Sequence, residues 1–113
     1  MMRLFVGTKH GMVYVVNYEK EKLEATHKTN DSAIYSIAVS EGFCVIGSQD
    51  SFLRVWPNDF QGFFMEAQHE GIVSSVDISN DRLRVAVGTM YGSIGILDKS
   101  NSDYKTLMRS HTD

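Results

Sequence analysis

Cysteine, proline and tryptophan each occur once in the 113 residues, and neither sign of charge dominates. Cys44 alone cannot close an internal disulfide, so a disulfide-stapled secreted scaffold is excluded and a reducing compartment fits. No apolar run approaches the roughly 18 residues that a membrane-crossing helix needs. The opening MMRLFVGTKHG has one arginine and a very short apolar run before Gly7, so no signal peptide is expected there. Net charge is -3 with the signs well mixed, which argues against a nucleic-acid footprint. Phosphate-cradling patterns (GxxxxGK[ST], strand–GxGxxG–helix) are absent, as are GxSxG and HExxH. What remains, at 42% hydrophobic and 22% charged, is the composition of one ordinary globular domain.

The chain does have internal repetition. His27, His69 and His111 recur every 42 residues. Three glycine-led stretches, GTKHGMVYVVN from Gly7, GSQDSFLRVWP from Gly47 and GTMYGSIGILD from Gly88, follow one another at 40 and 41. A further echo links AIYSIAVSEG from Ala33 with IVSSVDISND from Ile72. Three independent markers thus agree on a repeat of 40 to 42 residues.

Inside each repeat, apolar and polar residues alternate with period two, rich in β-branched and aromatic side chains and bounded by Gly, Asn, Asp and Ser. Strands are predicted over 2–7, 12–17 and 22–27, then 33–39, 42–48, 52–57 and 62–67, then 72–78, 83–89, 93–98 and 104–109. YEKEKLEA (Tyr18 to Ala25) has the composition of a helix seed, yet it falls where the repeat requires a hairpin, so a charged turn leading into a strand is expected. Each small twisted sheet must bury both faces, which it does between two neighbours.

Four strands every 40 to 45 residues resemble the blades of the WD-repeat β-propeller family, and the resemblance covers nearly the whole chain. It implies an all-β fold: a partial WD-repeat β-propeller of just under three four-stranded antiparallel blades. The division would be 1–28 (incomplete blade), 29–70 and 71–113 (complete blades). In that family a histidine, a strand hydroxyl, a turn aspartate and a strand tryptophan form a buried hydrogen-bonded set, which transfers by position to His27, Ser48, Asp50 and Trp56. The flanking repeats depart from the pattern: Val16 and Leu97 stand at the tryptophan position, His10 and Tyr91 at the turn aspartate. Only Leu97-Asp98 keeps the name-giving aspartate, and only Trp56-Pro57 the tryptophan. The phrase FLRVWPNDF followed by MEAQHEGIVSSVDIS resembles, more closely, a large centriolar and ciliary member of the family.

Propellers close with typically 4–8 blades, so the chain is expected to be part of a longer propeller, or to be completed by another polypeptide. Equivalent positions in successive blades lie apart, so the histidines are not expected to converge on a metal. Cys44, in the run FCVIG, is expected to pack as a small apolar residue. No catalytic residue and no cofactor is expected. Phe60, Phe63 and Phe64 are candidate partner contacts, against the alternative that they form an outer strand packed on the next blade. Lys20, Lys22, Lys28, Arg82 and Arg84 are candidates to touch acidic tubulin surfaces or simply line a solvated face. The resemblance implies a non-catalytic scaffolding and protein-interaction module in a ciliary or centriolar microtubule assembly, with protein partners, tubulin or microtubule-associated proteins among them, and no nucleic acid or membrane. Its location would be the cytoplasm and cytoskeleton, at a cilium axoneme or centriole. Two alternatives are an adaptor propeller recruiting partners to a ligase or trafficking complex, and a non-catalytic region of a larger enzyme.

Overall fold

The computed structural model describes residues 3–29, 31–63, 65–69, 71–89 and 92–108, the side chain of residue 108 excepted. Eleven strands and no helix occur among them: β1 (Arg3–Gly7), β2 (Met12–Asn17), β3 (Lys22–Lys28), β4 (Ile34–Ser40), β5 (Phe43–Ser48), β6 (Phe52–Pro57), β7 (Met65–Gln68), β8 (Val73–Ile78), β9 (Arg84–Thr89), β10 (Ile94–Asp98) and β11 (Asp103–Met108). They form three antiparallel meanders, β1-β2-β3, β4-β5-β6-β7 and β8-β9-β10-β11. The first strands of the second and third sheets, β4 and β8, pack beside each other, and β4 also packs on β1.

Turn chemistry explains why the chain folds back where it does. Thr8 directly follows β1, Ser48 and Thr89 end β5 and β9, and their carbonyls accept from the N–H of Gly11, Ser51 and Gly92 at 3.2, 3.2 and 3.1 Å. The three donors share left-handed backbone, with φ of 77°, 72° and 94°. That is the geometry of a turn closed by a left-handed residue, which twists the hairpin as the strands require. The charged stretch after β2 behaves the same way. Asn17 Oδ1 accepts from Lys20 N–H at 3.1 Å, Glu21 takes φ 53°, and β3 follows at once in place of a helix.

Period-two alternation builds two cores, one on each side of the second sheet. Phe43, Val45, Leu53 and Val55 face the third sheet, where they meet Val73, Val85, Val87 and Leu97. Cys44, Ile46 and Trp56 face the first sheet and pack with Val13 and Ile34. Every residue of β5 is buried, as expected of a strand covered on both faces.

One predicted strand is shorter than expected. The segment 62–67 begins pairing only at Met65, because the ladder with β6 stops at Val55. Pro57 has no N–H to donate, and Phe60 and Gly62 have φ of 56° and 159°, so the chain loops before it can pair.

Candidate interaction site

Strand β6 alternates its side chains between two environments. Leu53 and Val55 enter the core shared with the third sheet, while Phe52, Arg54 and Trp56 point along the seam with the first. On that seam Ser48 Oγ donates to Asp50 Oδ1 at 2.5 Å, and Asp50 Oδ1 also accepts from Phe52 N–H at 3.1 Å. Arg54 reaches Asp50 Oδ2 through both terminal nitrogens at 3.2 Å and Glu66 Oε1 through Nε at 3.1 Å. Its guanidinium also sits over the rings of Phe52 and Phe63, 5.0 and 5.6 Å from their centroids. Partial burial pushes the Asp50 carboxyl up, but the hydrogen bonds from Ser48 and Phe52 and the charge of Arg54 outweigh it and hold the group below the usual carboxylate range.

The aromatic residues form a ridge across the same seam. Trp56 is 7% exposed, with Phe60 at 5.8 Å and Phe63 at 5.4 Å between ring centroids. Phe60 stacks on His27 at 4.6 Å and tilts against Phe5 at 6.2 Å, so it ties the second sheet to the first. A left-handed phenylalanine costs about 1 kcal/mol or more of backbone strain, and burial of this ring between the sheets offsets it.

This arrangement redraws the expected polar set. Ser48 and Asp50 are hydrogen-bonded, but His27 lies inside β3 and faces Phe60, with no hydrogen bond to Asp50. Trp56 Nε1 is buried without a hydrogen-bond partner among the described residues. The physical reason is that Phe60 occupies the space between His27 and Trp56. Of the candidate partner contacts, Phe60 is turned inward, Phe63 is 43% exposed, and Phe64 lies outside the described residues, as do Tyr91 and His111.

Elsewhere the histidine position finds a different partner. His69 is buried, and its Nδ1 is bonded to the Tyr104 hydroxyl from β11, an arrangement that has room only because residue 95 is glycine. Cys44 is fully buried, and burial pushes its thiol up to about 12, which leaves it unreactive at neutral pH. Among the described residues no three His, Cys, Asp or Glu side chains gather as a metal-binding group.

Two hollows flank the aromatic ridge. One, about 570 Å³, lies against Arg3, Phe5, Glu24, His27, Asn58 and Asp59. The other, about 360 Å³, lies against Thr29, Asp31, Ser32, Asp50, Arg54 and Phe63. Arg3 Nε donates to Glu24 Oε1 at 2.7 Å, and this bond, with one from Asn17, holds Glu24 below the usual carboxylate range. Sequence reading missed Arg54, Glu66, Asp31, Asp59 and Asn58. Only the placement of Arg54 between two aromatic residues of one strand face hinted at its role.

No family model matches the chain. Centriole proteome protein 16 of Chlamydomonas reinhardtii is 39% identical over 109 residues, 96% of this chain and 5% of that protein. WD repeat-containing protein 90 of Xenopus tropicalis is 54% identical over 81 residues, and its human counterpart 51% over 80. Those alignments cover 72% and 71% of this chain but 4% and 5% of the relatives, so the chain spans a small part of their length. The β-propeller domain of Cps50 (Swd1) from Myceliophteria thermophila superposes with a TM-score of 0.79 at 13% identity, over 93% of this chain and 35% of that one. The chain belongs to the WD-repeat β-propeller family. Within it the likeness is to the WD repeat-containing protein 90 kind. For a WD-repeat chain the three sheets of three, four and four strands are propeller blades, and the seam described above is the boundary between two of them.

Proposed function

We infer that the chain is a non-catalytic protein-interaction module of a centriole-associated scaffold. The observation that carries this reading is the 39% identity to Centriole proteome protein 16 across 96% of the chain. The fold supports it as well, since blades packed face to face present rigid seams and loop rims to partners. Residues 1–28, 29–70 and 71–113 act as one incomplete and two complete blades, and further blades complete the ring. The scaffold binds the microtubule wall of a centriole or ciliary axoneme, and tubulin or a microtubule-associated protein is its partner.

Co-pelleting tests the finer part of this reading. The complete propeller is expected to sediment with stabilised microtubules in a salt-dependent way. Absence of pelleting, with recovery of ligase or trafficking components in its place, would favour an adaptor role over wall binding.

A further inference from the structure

The seam between the second and third sheets is closed at one end by a charged side chain. At the end where β5 and β9 begin and β10 finishes, Phe43 belongs to the shared core and is 5% exposed. Lys99, in the turn after β10, crosses the seam and sets its Nζ 3.3 Å from the centroid of the Phe43 ring. The same Nζ donates to the Arg82 carbonyl oxygen at 3.2 Å, and the Lys99 N–H donates to the Leu83 carbonyl oxygen at 2.8 Å. Arg82 holds left-handed backbone, φ 63°, in the turn between β8 and β9, and its Nη1 crosses to Glu41 Oε2 of the second sheet at 3.0 Å. The carboxylates of these turns are engaged elsewhere. Asp98 accepts from Ser100 and lies 3.9 Å from Arg84, and Asp81 accepts from Ser79 and from the Leu83 N–H. Among the described residues no carboxylate pairs with Lys99, so an aromatic face and a carbonyl oxygen hold its ammonium. A ring face attracts a cation and offers a neutral amide far less. The first seam differs: in the corresponding turn, after β6, the ring of Phe60 crosses to Phe5 at 6.2 Å, a contact indifferent to charge.

We propose that Lys99 is a charge-held latch between the second and third sheets, and that acylation of its amine releases this end of the seam. In acylation by a thioester the amine nitrogen bonds to the acyl carbon, the carbon–sulfur bond breaks, and the thiol leaves with the amine proton. The product is a neutral amide, which loses the attraction to the Phe43 ring. The Arg82–Glu41 pair that remains is solvent-exposed and holds the two turns only weakly. The latch belongs to the fold and operates whatever the propeller binds.

The test is amide hydrogen exchange on the full-length chain carrying Nε-acetyl-lysine at position 99, beside the variants Lys99→Arg and Lys99→Met. Acetylation is expected to speed exchange about fivefold over residues 41–45 and 79–85 and to leave the first seam, at residues 5 and 13–15, unchanged. Lys99→Arg keeps the cation and is expected to exchange like the unaltered chain. Lys99→Met keeps an apolar stem without the charge and is expected to match the acetylated protein. Unchanged exchange on acetylation, or equal acceleration in all three proteins, would overturn the latch, as would acceleration spread evenly over both seams. A second readout asks whether the trigger reaches the amine. The unaltered full-length chain is incubated with an acetyl thioester and its modified lysines are mapped by mass spectrometry, with Lys99 expected among them. Acetylation of the exposed Lys20 and Lys22 that leaves Lys99 untouched would also overturn the proposal.

Discussion

Asp50 sits at the turn between β5 and β6 and accepts from a hydroxyl, a backbone N–H and a guanidinium at once. Its carboxyl therefore titrates lower in the folded protein than in the unfolded chain. The stability it contributes is present above the unfolded value of about 3.9 and is lost as pH falls from there through the folded value. Asp50→Asn keeps an acceptor but loses the charge, and is expected to cost about 1 kcal/mol at pH 7. Denaturant titrations of the complete propeller at pH 7 and pH 3 should show that gap narrow in acid; an unchanged gap would remove Asp50 from the turn's energetics. At this scale the sequence was informative about residue type and less so about partners. The pairing of Ser48 with Asp50 is local, two residues apart, and entered the sequence reading through the family resemblance. The stacking of His27 on Phe60 was not legible, because it depends on the left-handed backbone that Phe60 adopts after β6, at φ 56°.

Strand registers explain the recurring glycines better than turns do. A Cβ on Gly47 would run into Ser36 Oγ of its own sheet and into Val73 of the next. A Cβ on Gly7 would meet Ile34 Cγ2 at 2.5 Å, again in the first strand of the following sheet. Both glycines have ordinary backbone for a strand, so what they supply is close approach and not conformational freedom. Gly47→Ala is expected to destabilise the complete propeller by about 1–3 kcal/mol through overpacking, read as a shift in the denaturant midpoint. A neutral result would mean that β4 and β8 have room to separate. The 40-residue spacing of these glycines made the repeat visible before any strand was assigned. Strand limits were equally legible wherever a four-residue turn joined the strands. Most limits moved by a single residue, and the largest shift is at β7, which starts at Met65 beyond the loop that follows Pro57.

At the scale of the molecule, the second sheet is covered on both faces and its neighbours on one. The outward face of the first sheet leaves Leu4, Val6 and Leu23 exposed, and the third leaves Ile94 and Leu107. Such faces drive association. The 113-residue chain on its own is therefore expected to self-associate in analytical ultracentrifugation, and to become monodisperse once joined to further blades. A cooperatively melting monomer of this chain alone would show that three sheets suffice. The repeat arithmetic made the fold readable because each blade re-uses one pattern of alternation. The seam was not readable, since Phe5, His27 and Phe60 come from separate stretches of chain that only the stacking of blades brings together.

A WD-repeat module of the proposed centriole-associated scaffold has to be found at centrioles. Expansion microscopy of cells expressing the tagged full-length chain, stained for centriolar tubulin, tests it most directly. The expected signal is confined to the centriole wall. A signal spread evenly through the cytoplasm, with centrioles no brighter than their surroundings, would contradict it.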